Sequence, residues 1–328
     1  MSEASGVYDE TSTGSAARLD LIVVGAASRD VTPDDPRGWR LGGAVSYASL
    51  AAARLGLRVG CVMGVDEPAA GAAELNLLEA AGVLVHRVRL EHGPVFENIE
   101  RDGRRRQRWL STSDTVPVTA LPGEWRRARG WLLGPVAGEL AAEWTEVAAA
   151  RAGACGAGGW QGLLREFAAD GRVRRVEPGA SPLLEVAGLV CASVDDVAPD
   201  TSLGELRGFA PRAALVLTAG AGGGVALRGA ATARDGAIAA PRIVDPTGAG
   251  DVFMAALMAA WLLTGELATA RALRFAAAAG SCAVEGAGRA GVPTRGQVAA
   301  RLRSGAPAAE SARGRQTAES ARGRPRPG

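Results

Sequence analysis

Residues 243–254 read IVDPTGAGDVFM. Three small residues, Gly248, Ala249 and Gly250, stand between Thr247 and Asp251, and an apolar stretch of helical character follows. Small side chains let backbone N–H groups come close to an anion. The start of the following helix adds its dipole to the same place. Asp251 lies at that start and is placed to take a proton from a hydroxyl. Convergent amides beside a carboxylate base are what phosphoryl transfer to an alcohol requires. For the four residues GAGD alone, an N-capping aspartate after a glycine turn is the structural alternative. The longer Asp245-Pro246-Thr247-Gly248-Ala249-Gly250-Asp251 run, after an apolar strand expected to end at Val244, is far more specific.

The elements that must position this loop alternate in type. Residues 19–26 (LDLIVVGA) form an apolar run suited to a buried parallel strand, and 58–63 (RVGCVM) form a second. Helices are expected at 42–56, opened by Gly42 and Gly43, and at 72–81, stopped by Gly82. That alternation implies a parallel sheet with helices on its faces. Within 83–110, Asp102-Gly103 separates two alternating stretches, a hairpin signal. An antiparallel insert in such a chain suggests a lid over a site. Further strands are expected at 130–134, 187–191 and 213–218, and helices at 138–150 and 161–169. A late hairpin is read at 222–228 and 237–244, then helices at 250–263 and 266–284, parted at Gly265. The fold class is therefore α/β: a doubly wound, mostly parallel sheet flanked by helices, with a small antiparallel β lid made of about 31–41 and 83–112. Residues 1–18 are polar and expected to be disordered, 19–303 form the domain, and 304–328 form a basic low-complexity tail. The tail repeats ESARGR at 310–315 and 319–324.

DPTGAGD resembles the C-terminal signature of the ribokinase-like (PfkB) carbohydrate kinases, and the resemblance extends over roughly 19–303. At the front, GAASRD (25–30) and the Gly42-Gly43 pair resemble the family's sugar-binding entrance, which implies that Asp30, Gly42 and Gly43 meet the substrate. GVD (64–66) with Gly71, and Gly82-Val83, also fall where the family places them. TAGAGG (218–223) resembles its nucleotide loop, and FAAAAGSCA (275–283) resembles the helix that walls the adenine. The resemblance thus assigns Thr218, Gly220, Gly222, Gly223, Thr247, Gly250 and Ala277 to ATP, Asp251 to the base, and the 248–250 backbone to the anion hole. Mg²⁺ is implied with ATP, and a monovalent-cation site is implied beside Asp245 with the 286–291 segment. The expected partner is a small-molecule sugar or polyol, and a homodimer through the lid is an arrangement the resemblance also implies.

Departures from the pattern bear on the substrate and the metal. Where the family commonly has Asn-x-x-Glu to organise Mg²⁺, this chain has Ser193-Val194-Asp195-Asp196. Asp196 is the remaining carboxylate, chemically suited to Mg²⁺; an ordinary helix-start acidic pair is the other reading. Tyr47 stands where many sugar kinases carry Asn, and Gly159 where relatives often have Asp before Gln161. Asn98 and Arg108 are candidates to face the substrate from the lid, and Arg40 is the nearby candidate to anchor a phosphate. A solvated hairpin tip explains the 104–108 arginines as well. The wording GGAVSYAS and QGLLR is similar to the subgroup of plant inositol kinases and unassigned bacterial members.

Composition bounds the remaining classes. The 328 residues are 47% hydrophobic and 22% charged, enough for a globular core. A net charge of +2 gives no reason to expect nucleic acid or membrane binding. All 37 basic residues are arginine, and glycine reaches 45, a pattern that coding bias explains. Cys61, Cys155, Cys191 and Cys282 form no C-x-x-C pair, and His86 and His92 are the only histidines, so a zinc site is not expected. The polar start lacks a signal-peptide core and no run approaches a membrane span, so a cytoplasmic protein is expected. Two rivals persist. An NAD-dependent oxidoreductase would place G-x-G-x-x-G after the first strand, where GAASRD stands. A non-catalytic binder of the same fold would explain the altered metal and substrate positions, against the retention of Asp251.

Overall fold

The computed structural model describes residues 18–101, 104–150, 155–198 and 201–305. The chain begins with β1 (Leu21–Ala26), a hairpin of β2 (Arg29–Val31) and β3 (Trp39–Leu41), α1 (Ala44–Arg54), β4 (Val59–Val65), α2 (Glu67–Ala70), α3 (Glu74–Ala80) and β5 (Leu84–Arg89). A second hairpin, β6 (Val95–Arg101) and β7 (Arg104–Ser111), precedes β8 (Gly130–Leu133), α4 (Glu143–Ala149) and β9 (Cys155–Gly159). Next come β10 (Arg165–Phe167), β11 (Val173–Arg175), α5 (Pro182–Val186), β12 (Leu189–Ser193), α6 (Leu203–Phe209), β13 (Ala214–Thr218), β14 (Gly224–Arg228) and β15 (Ala231–Asp235). Helices α7 (Ala249–Thr264), α8 (Ala270–Ala283) and α9 (Arg295–Ser304) follow.

Nine strands form one sheet in the order β15-β14-β13-β12-β9-β8-β1-β4-β5. The pairs from β5 across to β13 are parallel, while β14 and β15 turn back antiparallel at one edge. A parallel strand at the centre is covered on both faces, so it must be apolar on both. Every residue of β1 is buried for that reason. Leu21 and Val23 join the core beneath α1, α7 and α8, and Ile22 and Val24 join the opposite core around Trp131 and Trp144. Because β4 and β8 flank β1 on opposite sides, the strand order diverges there. Ligands of such sheets lie outside the carboxyl ends of the strands near that divergence.

A separate four-stranded sheet, β3-β2-β6-β7, forms the lid. It is mixed, since β2 and β6 run parallel while the other pairs are antiparallel. The expected insert is present, but its bounds are narrower than the sequence suggested. β5 pairs in parallel with β4 and belongs to the main sheet, so the lid does not begin at residue 83. His86 accordingly sits in β5, edge-on to Trp125.

Three other expectations are corrected. No helix forms over 161–169; a short 3₁₀ turn (Gln161–Leu164) leads into β10, because Gly162 presses against the Pro135 carbonyl and the chain then pairs with β11. The late hairpin's second strand is 231–235 rather than 237–244. The segment ending at Val244 is not a strand: Ile243 and Val244 are exposed, and the Val244 N–H is anchored on the Val284 carbonyl. The helix expected at 138–150 is shorter, Glu143–Ala149. The N-terminal segment to residue 17, the Asp102-Gly103 turn and the ESARGR repeats lie outside the described residues. Among those described, no helix is long and apolar enough to cross a membrane.

Candidate active site

α7 opens at Gly248, whose φ of 78° is left-handed. Such a turn suits glycine, and here the fit is also steric: an added Cβ would strike the ring of Tyr47. The turn is closed by the Ala249 N–H on the Pro246 carbonyl at 3.3 Å, and Val252 N–H returns to Gly248 at 2.9 Å. Amides of the first helical turn have no partner within their own helix, which leaves Gly250 and Asp251 N–H directed out of the helix start. Gly250 is exposed there, with open space where a side chain would stand. Asp245 fixes the approach. One carboxylate oxygen accepts from Thr247 N–H and the other from Gly288 N–H, each at 2.9 Å, joining this loop to the 286–291 segment.

Asp251 occupies the first turn of α7. Its carboxyl is pushed up to about 7, first by burial; the Arg165 charge opposes the shift, and the charges of Asp196 and Asp30 add to it. The charges of Arg165, Asp196 and Asp30 therefore lie within electrostatic reach of Asp251, around the recess at the helix start. A carboxyl near 7 is matched to a general base at neutral pH. The Asp30 carboxylate accepts from Ser28 Oγ at 2.8 Å, in the lid strand that leaves β1. Gly42 lies against that carboxylate so closely that an added Cβ would meet it, and Gly43, at φ 85°, starts α1 against the Ala26 carbonyl.

Tyr47 is 4% exposed and lies under the recess rather than on its open surface. Its ring packs on Gly248 and carries the Arg289 guanidinium at 5.1 Å. Arg289 is itself buried, donating to Ser46 Oγ at 3.1 Å and pairing with Glu74 at 3.4 Å. The segment implied to border a monovalent cation thus holds a fixed positive charge. Asn98 is half-buried on β6, its Oδ1 accepting from Gln107 across the hairpin at 3.0 Å. Arg108 pairs with Glu97 at 3.4 Å and is half exposed. Arg40 lies 4.0 Å from Asp35 at the lid rim.

On the other side of Asp251, Thr218 ends β13, its Oγ1 donating to Ala192 at 3.3 Å. Gly220 to Gly223 form a tight exposed turn closed by Ala219 N–H on Gly223 O. Ala277 and Gly280 are partly open on the face of α8 that borders α7. Asp196 is buried at the end of β12. Its Oδ1 accepts from Gln161 at 3.1 Å and Arg165 at 3.4 Å, and its Oδ2 accepts from Ser193 N–H at 3.2 Å. Ser193 does not extend the acidic set; its hydroxyl caps the turn at Asp195 N–H. Among the described residues no cluster of three or more His, Cys, Asp or Glu side chains could hold a metal. The fit to Mg²⁺ is that of one carboxylate, with acceptor capacity left on Oδ2 for a metal-bound water.

Two groups escaped the sequence reading. Arg165 closes the QGLLR stretch noted above for its resemblance, but no role was read for it. Glu139 is fully buried beside the strand divergence, where it accepts from Ala26, Val136 and Ala137 N–H at 2.8–3.1 Å. Burial pushes its carboxyl up while those amides oppose the shift. Its signal, a Glu four residues after Pro135 in GPVAGEL, is too common to read.

An α/β sheet with its site at the carboxyl strand ends, a β lid, and an aspartate in the first turn behind a glycine loop define the ribokinase type of architecture. Residues 203–295 match the model of the pfkB family carbohydrate kinases, a stretch that contains the Asp245–Asp251 loop. The resemblance drawn from the motifs therefore holds over that stretch. Among solved structures, a nucleoside kinase of the ribokinase family from Methanocaldococcus jannaschii is similar at TM-score 0.65 and 17% identity, covering 87% of this chain and 99% of that one. A pyrophosphate-dependent kinase of the family, complexed with a pyrophosphate analogue and myo-inositol, gives TM-score 0.68 and 17% identity over 85% and 99%. Arabidopsis thaliana ribokinase, complexed with ribose and ATP, gives 0.62 and 18% over 87% and 99%. No curated protein sequence matches the chain.

Proposed function

We propose that this chain is a carbohydrate kinase that transfers the γ-phosphoryl group of ATP to a hydroxyl of a sugar, polyol or related small molecule. The observation that carries the reading is Asp251: a carboxyl near 7, in the first turn of α7, sharing its recess with Asp30. In this reading Asp30 and the Gly42-Gly43 backbone hold the acceptor. Its hydroxyl oxygen attacks the γ-phosphorus, the new O–P bond forms as the bond to ADP breaks, and the hydroxyl proton passes to Asp251. Charge on the transferring group is met by the amides at 248–250 and the dipole of α7. ATP runs along Thr218 and Gly220–Gly223 towards Ala277. Mg²⁺, when bound with ATP, neutralises phosphate charge, and Asp196 is the residue that would hold it through water. Lid closure excludes water from the transfer.

A second donor is worth including because a structure of similar fold is a pyrophosphate-dependent kinase. The test is product formation from Mg-ATP, and in parallel from pyrophosphate, across sugars, polyols including inositols, and nucleosides. Asp251→Asn is the control. An acceptor that stimulates the wild type and not the variant supports the reading and names the substrate. Equal activity in the variant sinks the assigned base. Nucleotide binding with silence across the panel favours the non-catalytic binder.

A further inference from the structure

The hairpin of β10 and β11 begins at Arg165, and its far end is docked on the lid. Its register pairs Arg165 with Arg175 and Phe167 with Val173. At its tip, Trp109 of β7 donates its backbone N–H to Gly171 at 3.0 Å and its indole N–H to Ala168 at 2.8 Å. Gly171, at φ 80°, turns the tip so that its backbone meets the lid strand. Phe167 packs edge-on to Trp109 with ring centres 5.9 Å apart, and lies 6.1 Å from Phe96. A lid strand, the hairpin and the guanidinium of Arg165 are thus one connected piece of structure. At the root, Arg165 is 18% exposed and reaches Asp196 with a long contact of 3.4 Å.

Resting on the kinase reading above, we propose that Arg165 is a further catalytic residue, gripping the transferring γ-phosphoryl group, and that the β10–β11 hairpin carries it into place from the lid. A planar guanidinium matches phosphate oxygens better than a point charge does. It serves the charge that spreads over the equatorial oxygens as the O–P bond to the acceptor forms and the bond to ADP breaks. Docking on β7 then ties donor activation to lid closure over the acceptor. The alternative is an ordinary structural ion pair with Asp196.

Equilibrium titration separates the two. Wild type, Arg165→Lys and Arg165→Met are titrated with a non-hydrolysable ATP analogue and with ADP, alongside thermal unfolding. A contact to the γ-phosphoryl predicts that Arg165→Met weakens the analogue by about 10- to 100-fold, the range for a lost charge-assisted hydrogen bond. ADP, which lacks that group, should change by less than about 3-fold, and Arg165→Lys should recover part of the loss. Where an acceptor is known, kcat of Arg165→Met should fall about 10²- to 10³-fold. Phe167→Ala should lower kcat on its own but add little on top of Arg165→Met. Equal affinities in wild type and Arg165→Met overturn the proposal. So does an equal loss for analogue and ADP with a lowered Tm, and so does full additivity with Phe167→Ala. A wild type that binds neither ligand fails the ATP-dependent reading itself, whereas intact wild-type binding with an indifferent Arg165→Met fails only this inference.

Discussion

The carboxyl of Asp251 makes a prediction that needs no acceptor. In the folded chain it titrates near 7, against an ordinary value of 3.8. Between those values the unfolded chain has lost this proton while the folded chain keeps it. Stability therefore falls as pH rises through that window, by about 1.4 kcal/mol per pH unit for a fully shifted group. The whole span, about 3 units, gives at most about 4 kcal/mol; Asp251 is partly open to solvent, which trims this. Asp251→Asn has no such titration. Urea unfolding of both proteins from pH 5 to pH 8 should show the variant gaining on the wild type by up to about 3 kcal/mol, with the gap levelling above pH 7. Other titrating groups are common to both proteins and cancel in the difference. A gap that stays constant from pH 5 to pH 8 would refute the reasoning, because Asp251 would then titrate alike in both states. The same carboxyl should appear as the acid limb of the activity profile, with rate falling about tenfold per pH unit well below 7.

Gly248→Ala places a methyl group against Tyr47 at a left-handed φ, so kcat should fall by about 10²-fold or more, with a Tm loss that records the strain. Asp245→Asn turns one of two acceptors towards an N–H, leaving either Thr247 or Gly288 facing a donor; an unfolding measurement should show a loss of about 1–3 kcal/mol, and unchanged stability would remove the clamp from the account. Glu74→Gln weakens the hold on Arg37 and Arg289 together. Acceptor KM should rise several-fold and ATP hydrolysis without acceptor should fall, whereas an unaltered hydrolysis rate would mean that this contact does not govern the lid.

How much of this was legible in the sequence follows from how local each signal is. β1 was readable because both its faces are buried, so its six residues carry no polar side chain. The Asp245–Asp251 loop was readable because close backbone approach demands small residues in succession. By contrast, QGLLREFAA has apolar spacing that suits a helix, yet the chain there must turn at Gly162 on the Pro135 carbonyl and then pair across the hairpin. That requirement comes from a residue 27 positions away, outside any local window. β9 (CGAGG) hid for a related reason: Leu183 packs close to Gly158, with no room for the β-branched residues that usually announce a strand. Ile243 and Val244 looked like strand because they are apolar, but they lie exposed beside the loop. Arg165 and Asp196 are 31 residues apart, so their pairing is visible only in three dimensions.

Two of the contacts that bind the lid to the body lead to different halves of the recess. On the acceptor side, Arg37 forks onto Glu74 at 2.6 and 2.9 Å, and the Leu41 N–H of β3 joins the same carboxylate at 3.1 Å. Burial alone would raise Glu74, yet Arg37, the Leu41 amide and the Arg289 charge hold it down at about 2, so it stays ionised. Arg289 passes from Glu74 to the ring of Tyr47, and that ring is the surface on which Gly248 turns. The donor side is reached through Trp109, the β10–β11 hairpin and Arg165. Neither route depends on the other, since no residue is common to both. A lid displaced from its seat would therefore loosen the support of the anion loop and the aim of Arg165 at once. In the kinase reading proposed above, an open site then has its base and its glycine loop but lacks the arrangement that stabilises phosphoryl transfer, which is the condition under which ATP bound without acceptor would escape hydrolysis.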